Sequence, residues 1–182
     1  MIEFLRNTGS YSEKELSLLE EVLVDRTLKK EEVLLEIGDV CSSICFLQKG
    51  AIYQYSVDDE NGEQIIDLNV ANDWIMNHQS FTGRKPSTYC IKAYEDSTIQ
   101  MLSIDAIHQL IGQSQTFFQM GTILEKTVAR VHFFDQQYTP DEKYAYVLKH
   151  HPILLQKFPQ KMLASYLKMT PETLSRVRKR IS

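Results

Sequence analysis

The sequence predicts an α+β protein in which an antiparallel barrel or sandwich is followed by a long helix and a group of short helices. Two observations lead to this prediction. From about Glu31 to Ser103, short runs rich in β-branched and aromatic residues alternate with turn residues, which is typical of strands. After Ser103 the apolar residues recur every three or four positions, the spacing of helices. We expect a sheet-rich domain at 1–112, a long helix at 113–138 and a helical domain at 139–182.

The first predicted element is an amphipathic helix from about Ser12 to Leu28. Ser12 and Glu15 have the spacing of a capping box, in which the two residues hydrogen-bond each other's backbone N–H groups. Leucines recur at helical spacing from Leu16 onward.

Six strands are predicted next, with turn residues between them. The runs are VLLEI, ICFLQ, AIYQYSV, QIIDLNV, TYCIKAY and TIQMLSI. The clearest hairpin signal is the DDENG stretch at 58–62, because Asn61 and Gly62 tolerate the positive φ that tight turns require. Strands at this spacing without intervening helices indicate an antiparallel barrel or sandwich.

A long helix is predicted from Ser114 to about Gln137. Its apolar positions alternate three and four residues apart, as in the seam of a coiled coil, and we expect a homodimer through this helix. Packing on its own domain is the alternative, and a second apolar set at Phe118, Ile123 and Val128 indicates contact with both. The predicted dimer seam consists of Phe117, Met120, Leu124, Thr127, Val131, Phe134 and Tyr138.

Shorter helices are predicted at 103–111, 141–150 and 152–157. Residues 160–182 then have the pattern of a helix-turn-helix. An apolar stripe marks the first helix, Thr170 is a strong N-cap, and Pro171 occupies the first helical position, where its missing N–H costs nothing. The second helix is predicted to run from Pro171 to about Ile181.

Charge is distributed unevenly between these parts. The chain of 182 residues has a formal net charge of -4. Residues 160–182 contain six Lys or Arg and one Glu, a net charge of +5, so the remainder carries -9. A basic terminal segment favours contact with a nucleic acid; a solvated terminal helix is the alternative.

The order of these parts resembles the Crp/Fnr superfamily of bacterial transcription regulators. The tail MLASYLKMTPETLSRVRK is similar to that of short, Bacteroidetes-type members. The resemblance implies a jelly-roll β-roll (a double-stranded β-helix) like a cyclic nucleotide-binding domain, a dimerisation helix, and a terminal helix-turn-helix that reads a palindromic site on double-stranded DNA. RNA polymerase is a further partner that it implies.

The resemblance also implies roles in the second helix of the motif. The family's Glu-x-x-Ser-Arg pattern is present as Glu172, Ser175 and Arg176, with the arginine on guanine and the glutamate on the opposite cytosine. We expect no full β-wing beyond this helix. The predicted DNA-binding residues are Thr170, Glu172, Thr173, Ser175, Arg176, Arg178, Lys179 and Arg180.

The predicted ligand site departs from the family's cyclic nucleotide pattern. Asn77 stands where binders place the glutamate for the ribose hydroxyl, and Ser87 stands where they place the arginine for the phosphate. A buried phosphate without a bidentate arginine loses its strongest anchor, so we expect no response to cyclic AMP. Two interpretations remain for these residues: they bind another polar effector, or they are ordinary loop residues whose hydrogen bonds are satisfied within the chain. The candidate effector pocket consists of Asn77, His78, Arg84, Lys85, Ser87 and Thr88.

Other chemistry has little support in the sequence. Cys41, Cys45 and Cys90 lack zinc or iron–sulfur spacing and are predicted to be reduced and buried. His150 and His151 are adjacent, so their side chains diverge on a helix and joint metal ligation is not expected. Catalytic motifs are missing, and so are a signal peptide and a long apolar run. We expect a cytoplasmic, non-enzymatic regulator without metal or cofactor; a ligand-binding or protein-interaction module with a degenerate helix-turn-helix is the alternative.

Overall fold

A computed structural model describes residues 1–6, 8–58, 62–132, 134 and 138–181. Along the chain, helices precede and follow a strand-rich domain. The elements are α1 (Ile2–Leu5), α2 (Glu13–Val22), β1 (Val24–Leu28), β2 (Val33–Leu35), β3 (Ser43–Lys49), β4 (Ala51–Asp58), β5 (Gly62–Val70), β6 (Trp74–Ile75), α3 (His78–Gly83), β7 (Cys90–Ala93), β8 (Ser97–Ser103), α4 (Ile104–Gln113), a 3-10 helix (Gln115–Met120), α5 (Gly121–His132), α6 (Pro140–His150), α7 (Pro152–Lys157), α8 (Gln160–Tyr166) and α9 (Pro171–Ile181).

The strands form two four-stranded sheets, ordered β1-β8-β3-β6 and β2-β7-β4-β5. Every strand pair is antiparallel. A core cluster draws side chains from both sheets, including Leu28, Leu47, Ile52 and Ile91, all at most 2% exposed. Burying each such side chain contributes about 1.5–3 kcal/mol, which holds the two sheets face to face as a β-roll. The predicted antiparallel fold is confirmed.

All six predicted strand runs contain a strand. The predicted hairpin joins β4 to β5, with Asp58 opposite Gly62 in the register and Gly62 at a φ of 71°; residues 59–61 of its turn lie outside the described residues. All three cysteines are buried, as predicted. Sequence reasoning missed the two-residue strand β6 and the short helix α3.

The first long helix, α2, is shorter than predicted. Ser12 caps α2 through the predicted capping box with Glu15, but the helix ends at Val22. Leu23 takes an extended conformation, and the following residues form β1, paired with β8 from Val24–Met101 to Leu28–Ser97. Pairing with a neighbouring strand therefore overrides the helical pattern after Val22.

The long helix begins later than predicted. Ser114 is extended and its side chain accepts a hydrogen bond from the backbone N–H of Thr116, which starts the 3-10 helix. Only from Gly121 does a regular α-helix run, as far as His132. The predicted end near Gln137 lies outside the described residues.

The helices of the C-terminal domain agree with prediction. A core cluster joins α6 to α9 through Val147, Leu163 and Leu174, and it also includes Ile65 and Leu68 of β5. The C-terminal domain therefore packs directly on the sheet that ends in β5. Among the described residues, no helix combines the length and hydrophobicity that a membrane span requires.

Candidate nucleic-acid interface

Helices α8 and α9, with a short turn between them, lie where the helix-turn-helix is predicted. The turn reverses at Lys168, which has a left-handed φ of 55°. The backbone N–H of Met169 donates to the carbonyl of Ala164 at 3.0 Å. Leu167 and Leu174, one on each side of the turn, are fully buried, so the angle between the helices is set by apolar packing.

Thr170 begins the second helix as predicted. Its Oγ1 accepts a hydrogen bond from the backbone N–H of Thr173 at 3.2 Å. Pro171 follows as the first residue of α9. An N-cap of this kind contributes about 1 kcal/mol, and here it determines where the exposed end of α9 lies.

One face of α9 is exposed or half-buried. Leu174 and Val177 are buried and hold the helix on its domain. The opposite side carries side chains at spacings of three and four, which share one helix face. They are Glu172, Ser175, Arg176 and Lys179.

Glu172 and Arg176 are both exposed on this face. The N–H groups at the helix start and the hydroxyl of Thr170 lower the pKa of Glu172, so its carboxylate is an acceptor at neutral pH. Arg176 lies back along the helix, with Nε 3.4 Å from the carbonyl of Glu172 and Nη2 3.5 Å from Oγ1 of Thr173. Contacts this long are weak, and the guanidinium can leave them for a ligand.

The remaining basic residues differ in their surroundings. Arg178, Lys179 and Arg180 are exposed, but Arg180 pairs with Asp141 at the start of α6. The ion pair ties the end of α9 to α6. Of the predicted contact residues, Arg180 is thus occupied within the chain.

Sequence reasoning missed Gln160. Its Nε2 donates to the carbonyl of Pro171 at 3.1 Å. Together with Glu172, Ser175 and Arg176 it lines an open depression at the start of α9. No spacing rule connects Gln160 to α9, because the contact depends on how α8 crosses that helix.

The C-terminal domain is attached to the β-roll by polar and aromatic contacts. The backbone N–H of Ile65 donates to Oγ of Ser165 at 2.9 Å, which occupies a donor of the edge strand β5. Lys157 forms an ion pair of 2.9 Å with Glu95. These contacts hold the C-terminal domain on the roll.

An ion-pair network near the C-terminal end of α5 was not predicted from the sequence. Arg130 lies 2.6 Å from Asp67 and 3.1 Å from Asp73, and its Nη2 also donates to the carbonyl of Trp74 at 3.2 Å. Asp67 is fully buried. The network joins α5 to the β5–β6 region of the roll.

The predicted effector pocket is largely filled by its own residues. Nδ2 of Asn77 donates to Oγ of Ser87 at 2.8 Å, and Oδ1 of Asn77 caps α3 by accepting from the N–H of Ser80. Asn77 and Ser87 are 3% and 2% exposed. The two positions that would hold a ribose and a phosphate are therefore hydrogen-bonded to each other.

The six predicted pocket residues are not brought together as one site. Asn77 and His78 line a cavity of about 30 Å³ against α5, which has room for about one water molecule. Arg84, Lys85 and Thr88 are exposed outside it. The single effector pocket therefore stays a prediction.

The predicted dimer seam also needs correction. Its members at 117, 120, 127 and 134 are at most 4% exposed within a single chain. The 3-10 helix has about three residues per turn, so the seam does not continue in register from 115–120 into α5. Leu124 and Val131 remain half-buried, Tyr138 is exposed, and Phe118 from the second apolar set is 64% exposed.

Comparison with known proteins identifies relatives of this fold. Residues 25–114 match the cyclic nucleotide-binding domain family, whereas no curated protein matches the sequence. The chain is similar in structure to FixK2 from Bradyrhizobium japonicum, with 14% identity, a TM-score of 0.67, and 88% and 84% of the two chains covered. It is also similar to the Thermus thermophilus catabolite activator protein, with 15% identity, a TM-score of 0.58, and 94% and 84% covered. The c-di-GMP-responsive regulator CLP of Xanthomonas campestris matches with 13% identity, a TM-score of 0.62, and 93% and 91% covered.

Proposed function

We propose that the protein is a DNA-binding transcription regulator, because residues 25–114 match the cyclic nucleotide-binding domain family and the chain has the fold of FixK2 and the catabolite activator protein. The observation that carries the proposal is the exposed polar face of α9. The helix is capped at its start and held on its domain by two buried residues, and its exposed face carries an acidic and several basic side chains. A helix of this kind enters the major groove in helix-turn-helix proteins.

The side chains of α9 have separate roles in this proposal. Arg176 donates two hydrogen bonds to a guanine, and Glu172 accepts from N4 of the opposite cytosine. Arg178 and Lys179 neutralise phosphates, and their contribution to affinity falls as salt rises. Arg180 holds α9 on α6 through Asp141.

The regulator acts as a homodimer in this proposal. Leu124, Val128 and Val131 form a half-buried apolar band on α5, and Phe118 extends it. A second copy would bury this band, which keeps Leu124 and Val131 of the predicted seam as dimer contacts. Two copies related by a two-fold axis would present two α9 helices to a palindromic site.

The β-roll acts in this proposal as a sensing domain that does not respond to cyclic AMP, and no enzymatic activity is assigned to the protein. The hydrogen bond between Asn77 and Ser87 supports this, because neither side chain can supply the charged contact that a cyclic phosphate requires. The DNA-bound regulator would work in the cytoplasm and could contact RNA polymerase.

Selection from a random double-stranded DNA pool tests the proposal directly. The intact protein should enrich a palindrome whose half-sites contain a guanine that Arg176→Ala no longer selects. Arg6→Ala, at the opposite end of the chain, is the matched control. Failure to enrich any palindrome would favour a ligand-binding or protein-interaction module, and sedimentation showing only a 21.1 kDa species at high micromolar concentration would contradict the dimer.

A further inference from the structure

A cavity of about 400 Å³ lies where the β-roll, α5 and the C-terminal domain meet; we call it the junction cavity. It is distinct from the small cavity beside Asn77, with which it shares Thr127. Its size falls within the range of small-molecule sites, about 300–1,000 Å³, and such sites are common between domains. Its walls are Asn72, Asp73, Trp74, Lys126, Thr127, Ala129, Arg130, Phe134, Tyr146, His151 and Tyr166.

Aromatic side chains from all three parts of the fold line the junction cavity. Trp74 belongs to the roll, and Phe134 follows α5. The ring of Phe134 lies edge-on to Tyr166 at 5.0 Å and to Tyr146 at 6.2 Å. Rings held at right angles to one another offer both edges and faces, which is the geometry that favours a flat aromatic guest.

The charges around the cavity leave one cation available. Arg130 is engaged by Asp67 and Asp73, so its positive charge is already compensated within the chain. Lys126 lines the cavity, is exposed, and forms no ion pair with any other described residue. A ligand with one negative charge would therefore be matched by the ammonium group of Lys126.

Two neutral polar groups complete the site. Tyr166 is 3% exposed, and its hydroxyl makes no hydrogen bond to the rest of the described chain. The hydroxyl oxygen remains accessible from the cavity and can donate a hydrogen bond to a ligand acceptor. His151 is half-buried, and burial lowers its pKa, so its imidazole is neutral at pH 7 and can donate or accept.

We infer that the junction cavity binds a flat aromatic molecule that carries a single anionic group. The rings pack among Trp74, Phe134 and Tyr166, and the anion lies toward Lys126. Because the walls come from the roll, α5 and the C-terminal domain, an occupied cavity would hold these parts in one arrangement. The regulatory meaning of this binding rests on the proposed function, whereas the binding itself does not.

The only tryptophan of the chain, Trp74, lies in the cavity wall and reports occupancy directly. The probe is 1-anilinonaphthalene-8-sulfonate, a flat aromatic anion that accepts excitation energy from tryptophan. Titration of the intact protein should quench Trp74 fluorescence saturably, with one probe bound per chain. N-phenyl-1-naphthylamine, which has the same rings without the sulfonate, should bind more weakly.

Three variants locate the bound probe. Lys126→Ala should weaken the binding of the sulfonate probe by about tenfold, the effect of one lost charge-assisted contact. It should change the binding of the uncharged probe little. Ala129→Phe, which narrows the cavity, should weaken both probes. Lys149→Ala removes an exposed lysine of α6 outside the cavity and should change neither.

Other results would overturn the inference. One is a titration in which Trp74 fluorescence shows no saturable quenching. The other is an equal affinity of Lys126→Ala and Lys149→Ala for the sulfonate probe. Tyr166→Phe gives an independent reading, because it keeps the ring and should still weaken the anionic probe by severalfold. The titration contains no DNA, so the cavity proposal and the DNA-binding proposal are tested independently and either can fail without the other.

Discussion

Nη2 of Arg130 in α5 lies 2.6 Å from Oδ2 of Asp67 in β5, and the carboxylate is fully buried. Asp67 also accepts hydrogen bonds from the backbone N–H of Leu68 and from the side chain of Asn69. The pair connects the helix that carries the proposed dimer band to the strand on which the C-terminal domain rests. It therefore ties α5 directly to a strand that the C-terminal domain contacts.

Arg130→Met should lower the free energy of unfolding by about 3–5 kcal/mol, because it leaves the Asp67 carboxylate buried without its cation. Adding Asp67→Leu should recover much of this loss, since both charges are then removed. Urea denaturation of the wild type, the two single variants and the double variant measures the effect as a double-mutant cycle. Strictly additive losses would show that the two side chains do not interact.

Arg176→Ala should reduce affinity for the selected DNA site by about 1–3 kcal/mol and relax the preference at one base pair of each half-site. The reason is the loss of a bidentate contact with guanine. Fluorescence anisotropy with the selected site and with single-base variants measures both effects. Equal losses on every sequence would instead assign Arg176 to a phosphate.

Lys179→Ala should weaken binding to all sequences by a similar factor. One fewer phosphate contact releases about one fewer counterion, so the slope of log affinity against log salt should fall by about one. Anisotropy at several salt concentrations checks this. A preserved slope with altered base preference would place Lys179 at a base edge.

The β-roll should give no saturable heat with cyclic AMP in titration calorimetry. Asn77 and Ser87, which stand at the two ligand positions that the family resemblance implies, are hydrogen-bonded to each other and neither carries a charge for the phosphate. A low-micromolar dissociation constant would contradict this prediction. Survival of the native urea transition in the same buffer controls for loss of the fold.

Acid should weaken the connection between α2 and the 3-10 helix. The hydroxyl of Ser114 donates to Glu15 at 2.6 Å, and this bond together with those from Ser12 lowers the pKa of Glu15 to about 2. The native state thus binds fewer protons than the unfolded chain, whose glutamates have a pKa of about 4.3. Stability from this group is fully present above about pH 4.3 and is lost as the pH falls toward 2.

Glu15→Gln should remove that part of the pH dependence. Urea unfolding at several pH values from 5 downward measures it. Glu20→Gln on the same helix is the matched control and should leave the profile close to that of the wild type. An unchanged profile in Glu15→Gln would show that the hydrogen bonds do not depend on the ionised carboxylate.

Local chemistry determined much of this protein from the sequence by itself. The alternating pattern of β-roll strands, the capping box of α2 and the Thr170–Pro171 start of α9 are all encoded within a few neighbouring residues. For this reason the six strand runs and the positions of α8 and α9 were predicted correctly. The pairing of Val24–Leu28 with β8 was missed, because a strand at a sheet edge depends on a partner far along the chain.

Tertiary structure alone decided which surfaces are free and which residues meet. Arg130 and Asp67 are 63 residues apart, and no sequence period relates them. Burial of Phe117 and Thr127 in a single chain depends on how the 3-10 helix orients α5 against the roll. The junction cavity exists because three separately predictable parts leave a space where they pack, and packing between distant segments cannot be read from local sequence patterns.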